Sequence, residues 1–377
     1  MIKTILFDVD GVLLSEEHYF DASALTVWEM LYSRNYLGLA PEKFKIDYSE
    51  IEIKEIRDLV FDHDKALKFM KARGLNANWD MIYLVFSHQL IHLLSQIKGY
   101  EIQNITKWCQ APLNRETLQE IGEILRRYDS KIDFRLFVKD FERSQAMKQE
   151  LLGCLNELVL EKLGVKTDIF GVRGELWSIC EHVSQEWYVG DEHILASTGQ
   201  PSVQLGKEGY LAKEMTLAPK EKIAQLFKDL RHSGYEIGVG TGRPALETIQ
   251  PFHHLGWLEY FDVNKIVTED EVMQAEQKYP DSRPLSKPHP FPYIMAYKGK
   301  AASVTDCLNT KLPLENGDSI LIVGDSLADL LASRKLGCQF AAVLTGLTGK
   351  DARSEFEQHE ADYILNSVLD LRGILER

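Results

Sequence analysis

The chain has 377 residues, 45% of them hydrophobic and 27% charged, and a formal net charge of −14. That length leads us to expect two or three domains with sizeable cores, and the acidic balance excludes nucleic acid and anionic membrane surfaces as partners. No apolar run approaches the roughly 18 to 20 residues of a membrane span, and five scattered cysteines without a C-x-x-C pair point to reduced thiols in a cytoplasmic protein.

The chain opens on IKTILFDVDGVLLSEE, whose Ile2, Ile5, Leu6 and Phe7 suit a central strand buried on both faces. With a strand so close to Met1, no secretory leader is expected. Asp8 and Asp10 close the strand two residues apart, so their carboxylates face one spot before Gly11 turns the chain. Two carboxylates in one place repel each other and call for water or a cation. They fit either an acidic turn or a nucleophile and proton donor beside a metal ion.

From about Glu16 to Val189 apolar residues recur every three or four positions, the pattern of packed amphipathic helices. Residues 196–219 are rich in Gly, Pro and Ser and are expected to be a loop returning from one domain to another. From Pro219 short β-branched runs alternate with helical segments: YEIGVGTGR, NKIVTED, DSILIVGDS, QFAAVLTG and DYILNS. Alternation of this kind predicts a parallel sheet with right-handed crossovers. The isolated first strand has that sheet to join. The expected fold class is therefore α/β: a Rossmann-like, doubly wound core of residues 1–15 and 216–377, with a mostly helical insertion over 16–215. Ligands of such sheets bind at the carboxyl ends of the strands.

Three further strand ends or loops carry chemistry. Thr241 stands between Gly240 and Gly242 after an apolar strand, where a hydroxyl and an unhindered N–H suit a phosphoryl oxygen. Lys287 lies in a loop stiffened by prolines at 284, 288, 290 and 292. Asp325 ends the run ILIVG, and Asp329 follows one helical turn later. Singly these read as a glycine turn, a solvated lysine and acidic residues at a helix start.

Together the segments DVDGV, GVGTGRP, SKPHP and GDSLAD resemble, in order, the four motifs of the haloacid dehalogenase superfamily. The resemblance covers a little under half the chain and implies a Rossmann-like core with a cap domain between the first and second motifs. It implies Asp8 as nucleophile, Asp10 as acid and base, and Thr241, Gly242 and Lys287 as phosphate-binding groups. Mg²⁺ would be held by Asp8, Asp325, the Asp10 carbonyl and Asp329, an all-oxygen set that suits this ion rather than zinc. By the same resemblance, an aspartate at position 10 favours phosphoester hydrolysis through an aspartyl-phosphate on a small phosphorylated metabolite. A sugar-phosphate mutase of the β-phosphoglucomutase kind uses the same residues, a phosphonate hydrolase would add a cap lysine, and a non-catalytic binding protein would need none of them. The insertion of about 200 residues exceeds the family's usual small helical cap, so no cap contacts carry over. Further candidate substrate contacts are His18, Arg173 between two glycines, and Arg243 beside the second motif, which otherwise caps its helix. Oligomeric state is not legible.

Overall fold

The computed structural model describes residues 2–75, 77–171 and 173–375. Two compact units are present, Met1–Glu17 with Leu211–Arg377, and His18–Tyr210.

In the first unit the strands are β1 (Thr4–Phe7), β2 (Glu236–Gly240), β3 (Ile266–Val267), β4 (Ile320–Gly324), β5 (Gln339–Val343) and β6 (Tyr363–Leu365). They form one sheet in the order β3-β2-β1-β4-β5-β6. All five pairings are parallel. The chain leaves β1 to one side for β2 and β3, then crosses to the other side for β4, β5 and β6. This reversal at β1 is the doubly wound arrangement, and it opens a crevice at the carboxyl ends of β1 and β4.

The apolar runs are explained by burial on both faces. Ile5 and Phe7 join Ile237, Val239, Leu321 and Val323 in one cluster, packed under the helix Lys220–His232 through Phe227. Leu6 faces the opposite way, with Ile320, Ile322, Phe340 and Ala342, under the helices Phe291–Lys298 and Leu327–Leu336. Period-2 side-chain direction thus puts Ile5, Leu6 and Phe7 alternately in one core or the other.

The register pairs Phe7 with both Val239 and Val323, which brings the ends of β2, β1 and β4 level. Beyond Phe7, Val9, Val12, Leu13 and Leu14 are fully buried in the first cluster. They pin the turn that carries Asp8 and Asp10, and the Leu14 N–H donates back to the Val9 carbonyl.

The second unit is helical. Its helices include Glu17–Tyr32, Glu50–Val60, Asn78–Trp108, Arg115–Leu125, Glu150–Leu163 and Glu175–Thr198. The last of these runs past the expected end near Val189, interrupted at Gly190 (φ 75°, ψ 171°). Residues 199–210 carry no helix or strand. No helix among the described residues is long and apolar enough to cross a membrane. All five cysteines are free.

Candidate active site

Asp8 follows β1 directly and is 7% exposed. Its Oδ1 accepts from the Val9 N–H at 2.8 Å, and its Oδ2 lies 2.8 Å from Lys287 Nζ. The same ammonium lies 2.8 Å from Asp329 Oδ1. Lys287 therefore bridges the end of β1 and the helix that follows β4.

Asp329 is held from three directions. Tyr293 donates its hydroxyl to Oδ1 (2.7 Å), Ser326 donates to Oδ2 (2.6 Å), and Lys287 completes the set. Ser326 also caps the helix Leu327–Leu336, accepting from the Asp329 N–H. Asp325 sits at the end of β4. Each of Asp8, Asp325 and Asp329 offers a carboxylate oxygen within 4.8 Å of the others.

The electrostatics of this cluster follow from three carboxylates against one lysine in a buried place. Burial first, then Asp329 and more weakly Asp10, push Asp8 up to about 8 against the pull of Lys287. Burial, Asp8 and Asp329 push Asp325 well above the ordinary carboxylate range. Burial would raise Asp329 too, but Lys287, Ser326 and Tyr293 hold it below its ordinary value. Lys287 in turn is raised by Asp329 and Asp8 despite its burial. Two carboxylates that resist ionisation beside an all-oxygen donor set are what a hard divalent cation relieves. These residues fit Mg²⁺.

Thr241 follows β2 on the neighbouring strand end and is 1% exposed. Its N–H is spent on the Val267 carbonyl, while its hydroxyl oxygen accepts from the Arg243 N–H at 3.1 Å. The hydroxyl hydrogen therefore points elsewhere and is available to an anionic oxygen. Gly242 is the next residue of the same turn.

The Asp10 carboxylate does not join the three-carboxylate cluster. Its Oδ1 receives Arg243 Nε at 2.7 Å and lies 2.6 Å from Nη2. Arg243, a candidate for substrate contact, is buried and engaged within the protein.

The other two candidates lie in the helical unit. The Arg173 guanidinium makes a two-pronged contact with the buried Asp80 (3.1 and 2.7 Å) and lies over Trp177. The cation expected to grip a substrate anion thus neutralises a buried carboxylate. His18 stacks on Tyr210 with ring centroids 4.3 Å apart, and its Nδ1 lies 3.3 Å from Asp21.

Sequence reasoning missed Tyr293, Ser326, Glu214 and the Thr345-Gly346 turn. Ser326 and Asp329 carry a legible signal, the S-x-x-D spacing of a helix start. Tyr293 carries none, since a tyrosine after a proline-rich loop reads as ordinary core. Thr345 donates to the Gly11 carbonyl at 2.6 Å and so ties the end of β5 to the first turn.

A family model described as HAD-hydrolase-like matches residues 284–371, the stretch holding Lys287, Asp325 and Asp329. The chain is 29% identical over 158 residues to the pyrophosphatase PpaX of Bacillus mycoides, covering 42% of this chain and 60% of that protein. It is 23% identical over 149 residues to a phosphoglycolate phosphatase of Nitrosococcus oceani, covering 39% of this chain and 53% of that protein. The matches thus span little more than half the length of these relatives. An X-ray structure from the Northeast Structural Genomics Consortium is 39% identical, with a TM-score of 0.89 over 100% of this chain and 98% of that one. With the sheet order, three motif segments at the adjoining ends of β2, β1 and β4, the fourth in the Lys287 loop, and these likenesses together, the chain belongs to the haloacid dehalogenase superfamily.

Proposed function

We propose that the protein is a Mg²⁺-dependent phosphatase that hydrolyses a small phosphomonoester through an aspartyl-phosphate on Asp8. The observation that carries this reading is Lys287 lying between Asp8 and Asp329, with Asp325 beside them. In this reading it sets a nucleophile, a fixed cation and a carboxylate cradle at the adjoining ends of β1 and β4. The domain division proposed with it is a catalytic core of residues 1–15 and 216–377 and an inserted cap of 16–215.

In this reading an Asp8 carboxylate oxygen attacks phosphorus as the bond to the ester oxygen breaks. Asp10 gives its proton to the leaving oxygen, then takes one from the water that attacks phosphorus and frees Asp8. The Thr241 hydroxyl and Gly242 N–H hold phosphoryl oxygens, and Lys287 keeps Asp8 oriented while offsetting phosphoryl charge. Mg²⁺, held by Asp8, Asp325, the Asp10 carbonyl and Asp329, would supply further charge neutralisation at the phosphoryl group.

A panel of phosphorylated metabolites with Mg²⁺ tests the assignment, using Asp8→Asn as the control. Release of inorganic phosphate from at least one small ester, abolished in the variant, is expected. No release from any panel member, or release only as a side reaction of isomerising a sugar phosphate in the presence of a sugar bisphosphate, would overturn it.

A further inference from the structure

We propose that Arg243 is the positioning residue for Asp10, and that Glu214 is the anchor that holds Arg243 to this task. The inference rests on the reading of Asp10 as the acid and base of phosphoester hydrolysis.

Arg243 follows the phosphate-binding turn Thr241-Gly242 at once, and its backbone is fixed at both ends. Its N–H donates to Thr241 Oγ1 (3.1 Å), and its carbonyl accepts from the Glu269 N–H (2.9 Å). The guanidinium is fixed as well. Nε and Nη2 converge on a single oxygen, Asp10 Oδ1, at 2.7 and 2.6 Å. Nη1 lies 2.6 Å from Glu214 Oε1 and donates to the Glu247 carbonyl at 3.2 Å. The side chain of Arg243 is 1% exposed, as is that of Glu214, whereas that of Asp10 is 28% exposed.

A buried guanidinium needs a carboxylate partner, and the equally buried Glu214 is one. The second carboxylate is spent differently. Its carrier reaches solvent, its residue belongs to the first motif, and one of its two oxygens takes both the hydrogen bond from Nε and the close charge of Nη2. Held at that one oxygen, the carboxylate is restrained, and in this proposal the other oxygen serves the reacting group. Orientation of this kind is worth rate because a general acid must meet the leaving oxygen within hydrogen-bond reach. Lysine cannot replace the guanidinium, since a compact ammonium does not span Asp10 and Glu214 with separate nitrogens as the planar Arg243 group does. The arrangement also ties the second motif to the first. One residue orders the Thr241 hydroxyl and the Asp10 carboxylate together.

The test is single-turnover phosphoryl transfer with an alkyl and an aryl phosphate in Arg243→Lys, Glu214→Gln and the double variant Asp10→Asn/Arg243→Lys. General acid assistance is worth about 10²–10⁴-fold, so Arg243→Lys should slow the alkyl ester by about 10- to 100-fold and the aryl ester by less than about 3-fold. Glu214→Gln should show the same selectivity at smaller size. The double variant should be no slower than Asp10→Asn alone, because the two residues act as a unit. Equal losses for both esters, additive losses in the double variant, or a raised KM at unchanged kcat would overturn the proposal. The last of these would make Arg243 a substrate contact. If Arg243→Lys fails to fold, the near-isosteric Glu214→Gln decides alone, by an alkyl-selective loss or its absence. Turnover retained in Asp8→Asn would instead strike the hydrolytic reading itself.

Discussion

Gly346 stands so close to Asp325 that a β-carbon on it would lie 1.9 Å from the aspartate's Oδ2. Gly11, on the other side, would place one 2.0 Å from the same atom, and its φ of +70° is strained for any other residue. The Asp325 carboxylate is thus seated between two backbones. Gly346→Ala should displace it, with turnover reduced by at least about 100-fold on the scale of losing a charge-stabilising group. Gly373→Ala, with nothing within 4 Å, is the silent control. Equal Mg²⁺-dependent activity in the two variants would show that Asp325 does not need this seat.

The two opening carboxylates should separate in kinetics. Asp8→Asn removes the attacking group and should abolish turnover of every ester, with the fold intact because the amide is nearly isosteric. Asp10→Asn keeps the nucleophile, so its loss should be large for sugar alkoxides and small for a phenolate that leaves unaided, with about 10²–10⁴-fold at stake. Rapid-quench mass analysis should then detect phosphate trapped on Asp8. Retained activity in Asp8→Asn would remove the covalent route.

Chelation should abolish activity and Mg²⁺ should restore it. The raised Asp8 and Asp325 mark a surplus of negative charge that a cation relieves. Mg²⁺ should therefore also raise the melting temperature of the unreacted protein, by mass action on the folded state. Asp325→Asn should lose that shift. Full activity after exhaustive chelation would sink the metal assignment.

In the helical unit Lys207 is buried between two buried carboxylates, 2.7 Å from Glu29 and paired with Glu186. Removing one member of such a set leaves uncompensated buried charge, so Lys207→Met should cost about 3–5 kcal/mol. Hydrogen exchange resolved to residues 18–210 would report the loss where a melt of the whole two-unit chain would blur it.

Burial pushes Glu29 up to about 7 from the ordinary 4.5, against the pull of Lys207. The folded state therefore holds more protons than the unfolded state between those two values. The stability that this group contributes is present below about pH 4.5 and declines as pH rises towards 7. Glu29→Gln should flatten that part of the pH–stability curve for the helical unit. An unchanged slope in the variant would assign the dependence to other groups.

Arg173→Ala tests whether that cation serves the fold or a substrate. Asp80 would keep its bond from Trp177 Nε1 (2.8 Å) but lose the guanidinium. Leaving a buried acceptor short of a partner costs about 1–3 kcal/mol, so stability should fall while KM stays unchanged. A raised KM with unaltered stability would return Arg173 to the substrate.

The sequence by itself determined the sheet-forming runs and the helical character of the insertion, and it singled out the seven candidate strand-end or loop residues from Asp8 to Asp329. These are local signals: two-residue alternation, glycine after a strand, a helix start after Gly324-Asp325. Tertiary structure alone decided the partners. Asp10 meets Arg243 across 233 residues, Lys287 meets Asp329 across 42, and Lys207 meets Glu29 from a loop without secondary structure. Which carboxylate faces which cation depends on strand ends made level by parallel register and on side chains closing over turns. Composition and spacing carry no trace of that, because the register is set by hydrogen bonds between strands that lie far apart in the chain.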